Sequence, residues 1–70
     1  MTKKINDFIV FCVEVYKVDK DMTGKEVYDL FFKYGVLDYL KNGYEMLHTQ
    51  GDAWIVNDID KFLLVRGYNN

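Results

Sequence analysis

His48 is the single histidine of the chain, with Glu45 three residues before it and Asp52 four residues after it. Imidazole titrates near neutrality, so a histidine beside a carboxylate in a pocket is the arrangement of a general acid–base pair. On a helical register, however, His48 falls at the edge of an apolar stripe, next to Lys41. There a histidine hydrogen-bonds a carbonyl or caps a helix C-terminus, and that is the role expected of it. Cys12, the one thiol, lies in a strongly apolar run with no local base or cation, and so reads as a core residue rather than a nucleophile. Asp52, Asp58 and Asp60 are acidic enough for a divalent cation but lack the alternating ligands, turn glycine and terminal Glu of a calcium loop. They read as N-cap and solvated acids. Serine is absent, and Gly24-Lys25-Glu26 lacks the glycine spacing and hydroxyl of a phosphate loop. No catalytic residue, cofactor or metal is therefore expected, and no biochemical activity is written in these residues.

Composition narrows the classes further. Seventy residues make one small domain, spanning 1–70, with little margin for stability. Small domains often add disulfides, metals or an oligomer interface. One Cys and one His exclude an intramolecular disulfide and a Cys/His zinc site. The remaining supports are a dense apolar core and self-association, and a composition that is 50% hydrophobic and 17% aromatic suits both. Nine basic and eleven acidic residues, with one Arg, are a poor footprint for nucleic acid. No run reaches the roughly 18 apolar residues of a membrane span, and no export signal is read at Lys3-Lys4 and Phe8–Val13, so a cytoplasmic protein is expected.

The elements follow from periodicity and stop signals. Residues 5–18 read as a helix that is apolar round most of its circumference, with Asn6, Asp7, Glu14 and Lys17 on one polar arc. It is expected to be the most buried element. Thr23 and Glu26 form a capping box that opens a second helix over 24–34. Val27, Leu30, Phe31 and Tyr34 face inward, Phe32 falls between the faces, and Gly35 supplies the stop. Val36, Leu37, Leu40, Tyr44 and Leu47 share an arc of about 100°, which predicts one helix over 36–49 running through Gly43 despite the Asn-Gly turn signal. Gly43 would let a neighbouring helix come close. After the stop at Gly51, residues 53–56 read as an extended or single-turn lead-in. A last helix over 58–66 is expected from the N-cap Asn57, with Gly67 ending it and 68–70 as a frayed tail. The fold class is all-α, a compact bundle of about four helices.

From Asn42 to Asp60 the chain carries Glu45, Asp52, Asp58 and Asp60 and no Lys or Arg. This acidic segment surrounds Trp54, and a negative surface with an aromatic anchor suits a basic protein partner. The partner-binding residues expected are Tyr39, His48, Gln50, Asp52 and Trp54. The alternative for Trp54 is that it completes a small core.

The blocks F-I-V-F-C, Y-G-V-L-D-Y-L and L-H-T-Q-G, within Ile5 to Arg66, resemble a family of short bacterial proteins known as a domain of unknown function. The resemblance transfers no catalytic residue. Such proteins are often encoded beside an ADP-ribosyltransferase-like protein of toxin type, which implies a small companion, antitoxin or immunity-like, for a neighbour-encoded effector. The expected function is thus a non-enzymatic protein–protein interaction module, with a homodimer as a further expectation. One alternative is a helix-turn-helix-like DNA regulator reading with the helix from Val36, although Asp38, Asn42, Glu45 and Thr49 on its outer face have the wrong character for phosphate. A third reading is a small enzyme or ligand binder using His48, which requires a pocket beside that residue.

Overall fold

Local stop and start signals divide the described residues into five helices. The computed structural model of the protein describes residues 3–69. Helix α1 is Lys3–Lys20, α2 Gly24–Tyr34, α3 Val36–Asn42, α4 Tyr44–Leu47 and α5 Asp52–Val65, with no strand among the described residues. The architecture is all-α. At about 1.5 Å per residue, the 18 residues of α1 run nearly the full 30 Å length of the molecule, and α2, α3 and α5 pack against it.

The α2 boundaries follow from the residues at its ends. Thr23 Oγ1 accepts from the Glu26 N–H at 3.1 Å, and the Thr23 N–H donates to Glu26 Oε1 at 2.9 Å, so two otherwise orphaned donors are satisfied. Gly35 takes φ +79 and ends the helix. Helix α1 runs further than its apolar pattern, to Lys20. It stops where Asp21 adopts φ 54 and the Met22 N–H bonds back to the Lys17 carbonyl, a left-handed cap that Asp tolerates better than most residues.

The expected single helix over 36–49 is broken at Gly43 and ends at Leu47. Gly43 sits at φ −96, ψ 9, between α3 and α4. A Cβ there would lie 2.8 Å from Leu47 Cδ1 and 3.2 Å from the Tyr39 carbonyl. The space is used by Leu47 from the following turn, not by a neighbouring helix. The inward stripe nevertheless keeps its phase, because Val36, Leu40 and Leu47 are all buried and Leu37 and Tyr44 pack against them. Gly43→Ala would gain about 1 kcal/mol in helix propensity, but it must displace a buried Leu47, and overpacking costs about 1–3 kcal/mol. A lower urea midpoint is expected. A higher one would mean that Leu47 yields freely.

The last helix begins at Asp52, not near Asn57, with Gly51 as its N-cap. Residues 53–56 are therefore helical, and Ile55 and Val56 are buried. No strand is available to pair this segment, and helix satisfies its backbone internally, with Asp52 in the positive first turn. Asn57 is exposed inside the helix. Gly67 at φ +96 ends α5, with the Tyr68 N–H bonded to the Leu63 carbonyl and the Gly67 N–H to that of Leu64, a Schellman closure. Tyr68 is not frayed: it is half-buried, with its ring 5.4 Å from that of Tyr34. Asn70, the end of the expected tail, lies outside the described residues.

Twelve residues form the core: Phe8, Cys12 and Tyr16 from α1, Val27 and Phe31 from α2, Val36 and Leu40 from α3, Leu47 from α4, and Ile55, Val56, Ile59 and Leu63 from α5. The expectation that α1 is the most buried element does not hold. It buries one narrow i, i+4, i+8 stripe, while the shorter α5 buries four residues. Too few other helices exist to cover its remaining apolar sides.

Candidate functional site

His48 caps the C-terminus of α4, as its register predicts. Its Nδ1 lies 2.7 Å from the Tyr44 carbonyl oxygen. A carbonyl only accepts, so Nδ1 carries the proton and donates. The imidazole stacks on the Tyr44 ring at 4.3 Å with 10° between planes. Tyr44 in turn meets Phe8 edge-on at 5.5 Å, and Phe8 stacks on Phe11 at 6.4 Å. These four rings, with Lys4, Asp7 and Gln50, line an open depression of about 400 Å³. Glu45 and Asp52 do not line it, and among the described residues no carboxylate hydrogen-bonds His48. The His48 imidazole is thus held by the carbonyl and the ring of Tyr44.

Cys12, Asp58 and Asp60 are engaged within the bundle. Cys12 is fully buried, and burial pushes its thiol up to about 12, the opposite of what a nucleophile needs. Asp58 accepts from the Tyr39 hydroxyl at 2.6 Å. Asp60 accepts from the Tyr16 hydroxyl at 2.6 Å and from Lys20 at 2.8 Å. Both acids were expected as helix-start or solvated groups. They are instead cross-helix acceptors, because α5 begins earlier and places them in its middle, about 200° apart at 100° per residue, each toward a different neighbour. Phenols withdrawn from water require such partners, and Tyr16 is buried while Tyr39 is half-buried. Tyr39 is raised to about 12, by burial first and then by its bond to Asp58. Among the described residues no group of three or more His, Cys, Asp or Glu is placed to hold a metal ion.

The five residues expected to bind a partner do not converge on one patch. His48 and Gln50 share the ring-lined depression. Asp52 lies at a groove of about 490 Å³ between α1 and α5, floored by Val15, Val18, Ala53 and Val56 and edged by Glu14 and Asp19. Trp54 is 41% exposed. Tyr39 is turned inward at the α3–α5 seam, stacked on Phe62 at 4.4 Å.

The apolar surface left open by the fold extends beyond these residues. On α1, Val10 is 60%, Phe11 40% and Val18 75% exposed, and on α2 Phe32 is 72% exposed. A groove of about 640 Å³ lies where α1, α2 and α3 meet, between Val10, Tyr28, Phe32 and Leu37. Sequence reasoning left Phe32 between the two faces of α2. A family model described as a protein of unknown function (DUF3791) matches residues 7–64, a span that holds all twelve core residues. The chain belongs to this family. DUF3791 carries no assigned activity, so the match adds no catalytic role to any side chain. No curated protein and no solved structure matches the chain. No helix among the described residues is long and apolar enough to cross a membrane.

Proposed function

We propose that this DUF3791 chain is a protein–protein interaction module without a catalytic role of its own. The observation that carries the reading is α1, a central helix apolar on nearly every side, whose Val10, Phe11 and Val18 are left open by the rest of the bundle. Each of the three opens onto a separate groove, and exposed apolar side chains at grooves suit contact surfaces. The sequence resemblance to short bacterial proteins encoded beside an ADP-ribosyltransferase-like protein supports a companion role, antitoxin or immunity-like, in the cytoplasm. Trp54, Asp52, His48 and Gln50, close in sequence at the start of α5 but spread over more than one patch, are the proposed contacts for that effector. No observation favours DNA: Asp38, Asn42 and Glu45 are exposed along α3 and α4, and phosphates would be repelled by the acids.

Trp54 is the only tryptophan and reports on the contact directly. Titration with the neighbour-encoded protein at micromolar concentration is expected to shift its emission to the blue and to give a complex on size-exclusion chromatography. Absence of any complex at that concentration overturns the companion role.

A further inference from the structure

The groove between α1, α2 and α3 gathers three half-exposed or exposed large side chains from two helices, Val10 at 60%, Tyr28 at 51% and Phe32 at 72%. Its polar edge is formed on α3 by Asp38 and Lys41, both exposed. Lys3, Lys17, Lys20 and Lys25 each have an acidic partner within 4 Å. Neither Asp38 nor Lys41 has an ion-pair or side-chain hydrogen-bond partner among the described residues. A groove edge with one unpaired acid and one unpaired base is complementary to itself, whereas a strongly basic or acidic partner would leave one of the two opposed by a like charge.

We propose that this groove is covered by a second copy of the chain, in a two-fold dimer. The proposal rests on the interaction-module reading and names the occupant of one of its surfaces. In a two-fold contact the same patch meets itself, so a residue pair i–j recurs as j–i. With the α3 helices antiparallel across the axis, residues three apart face each other reciprocally. Each Asp38 then meets the partner's Lys41, and each Phe32 enters the other copy's groove. Aromatic anchors in a pocket ringed by polar pairs are the usual anatomy of a stable contact. A net charge of −2 per chain opposes association only weakly. A core of twelve residues is of the size that oligomerisation commonly supports.

Sedimentation velocity of the full chain tests this. The wild type is expected at twice its 8.3 kDa mass in the high micromolar range. Phe32→Asp should weaken the dimer about 30-fold or more, as loss of an interface anchor does, with unchanged far-UV circular dichroism because the side chain is mostly solvated. Asp38→Lys should weaken it about tenfold or more by setting like charges together, and adding Lys41→Asp should restore it. That restoration requires position 38 of one copy to face position 41 of the other, and a two-fold contact closes at the dimer without larger species. A wild type that stays monomeric, or a dimer indifferent to both Phe32→Asp and the charge exchange, overturns the assignment. If such a monomer still binds the neighbour-encoded protein, the module reading stands with a different occupant; if it binds neither, both fall.

Discussion

Replacing Phe31 by alanine is expected to remove most or all of the stability of the fold. Phe31 is fully buried on α2, and its ring meets Tyr16 of α1 edge-to-face at 5.3 Å with 62° between planes. Truncating a buried phenylalanine costs about 3–5 kcal/mol, the lost transfer energy plus the cavity left behind. A chain of 70 residues has roughly 3.5–10 kcal/mol in total at the usual value per residue. The loss is thus between a third of the stability and all of it. Urea unfolding followed by circular dichroism should show a much lower midpoint or no cooperative transition. Phe32→Ala, one residue on, is the control. Its side chain is 72% exposed, and in the monomer it should change stability by no more than about 0.5 kcal/mol. Equal losses at the two positions would mean that the inward face of α2 has been misassigned.

That contrast between neighbours was half legible in the sequence. Helix α2 was readable because its signals are local: the Thr23–Glu26 box, an i, i+3, i+4 stripe and a glycine at the end. Periodicity placed Phe31 inside but left Phe32 between faces, since angle alone does not say whether a neighbouring helix covers a flank. The same limit hid the state of α1. Apolar residues all round a helix read as burial, yet four short partners cover only the stripe Phe8, Cys12, Tyr16 and its flanks.

The break at Gly43 escaped for a different reason. One residue of pause leaves the angular sorting nearly unchanged, so the stripe looks continuous while the helix is not. The Asn-Gly pair at 42–43 marks the break, and the continuous stripe masks it. The start of α5 was hidden because Gly51 has no capping side chain, while Asn57 has the chemistry of a cap without the position. That error propagated to the site, because the roles of Asp58 and Asp60 depend on how deep in the helix they lie. The capping role of His48 survived, being set within one turn by the Tyr44 carbonyl.

Asp60 carries the second large effect. It is the acceptor for both the Tyr16 hydroxyl and Lys20, and Tyr16 is 1% exposed. Asp60→Ala leaves that hydroxyl without a partner, at a cost of about 1–3 kcal/mol. Tyr16→Phe removes the donor and its requirement together. The double variant should therefore lose less than the sum of the single ones, by about 1 kcal/mol or more for groups in direct contact. The same bond links stability to pH. Burial, followed by the bond to Asp60, holds the Tyr16 phenol well above its ordinary value, while Tyr39 is held at about 12 and Cys12 at about 12. In the unfolded chain these groups release their protons near 10 for tyrosine and about 8.5 for cysteine. The folded state thus binds protons that the unfolded state has lost, so the stabilisation is fully present below those unfolded values and is lost as pH rises through the folded ones. Thermal midpoints are expected to hold steady to about pH 8.5 and to fall progressively above it. Tyr16→Phe, less stable at neutrality, should fall less steeply. A wild-type midpoint that stays level through the ordinary tyrosine range would mean that the Tyr16 hydroxyl is not sequestered between α1 and α5.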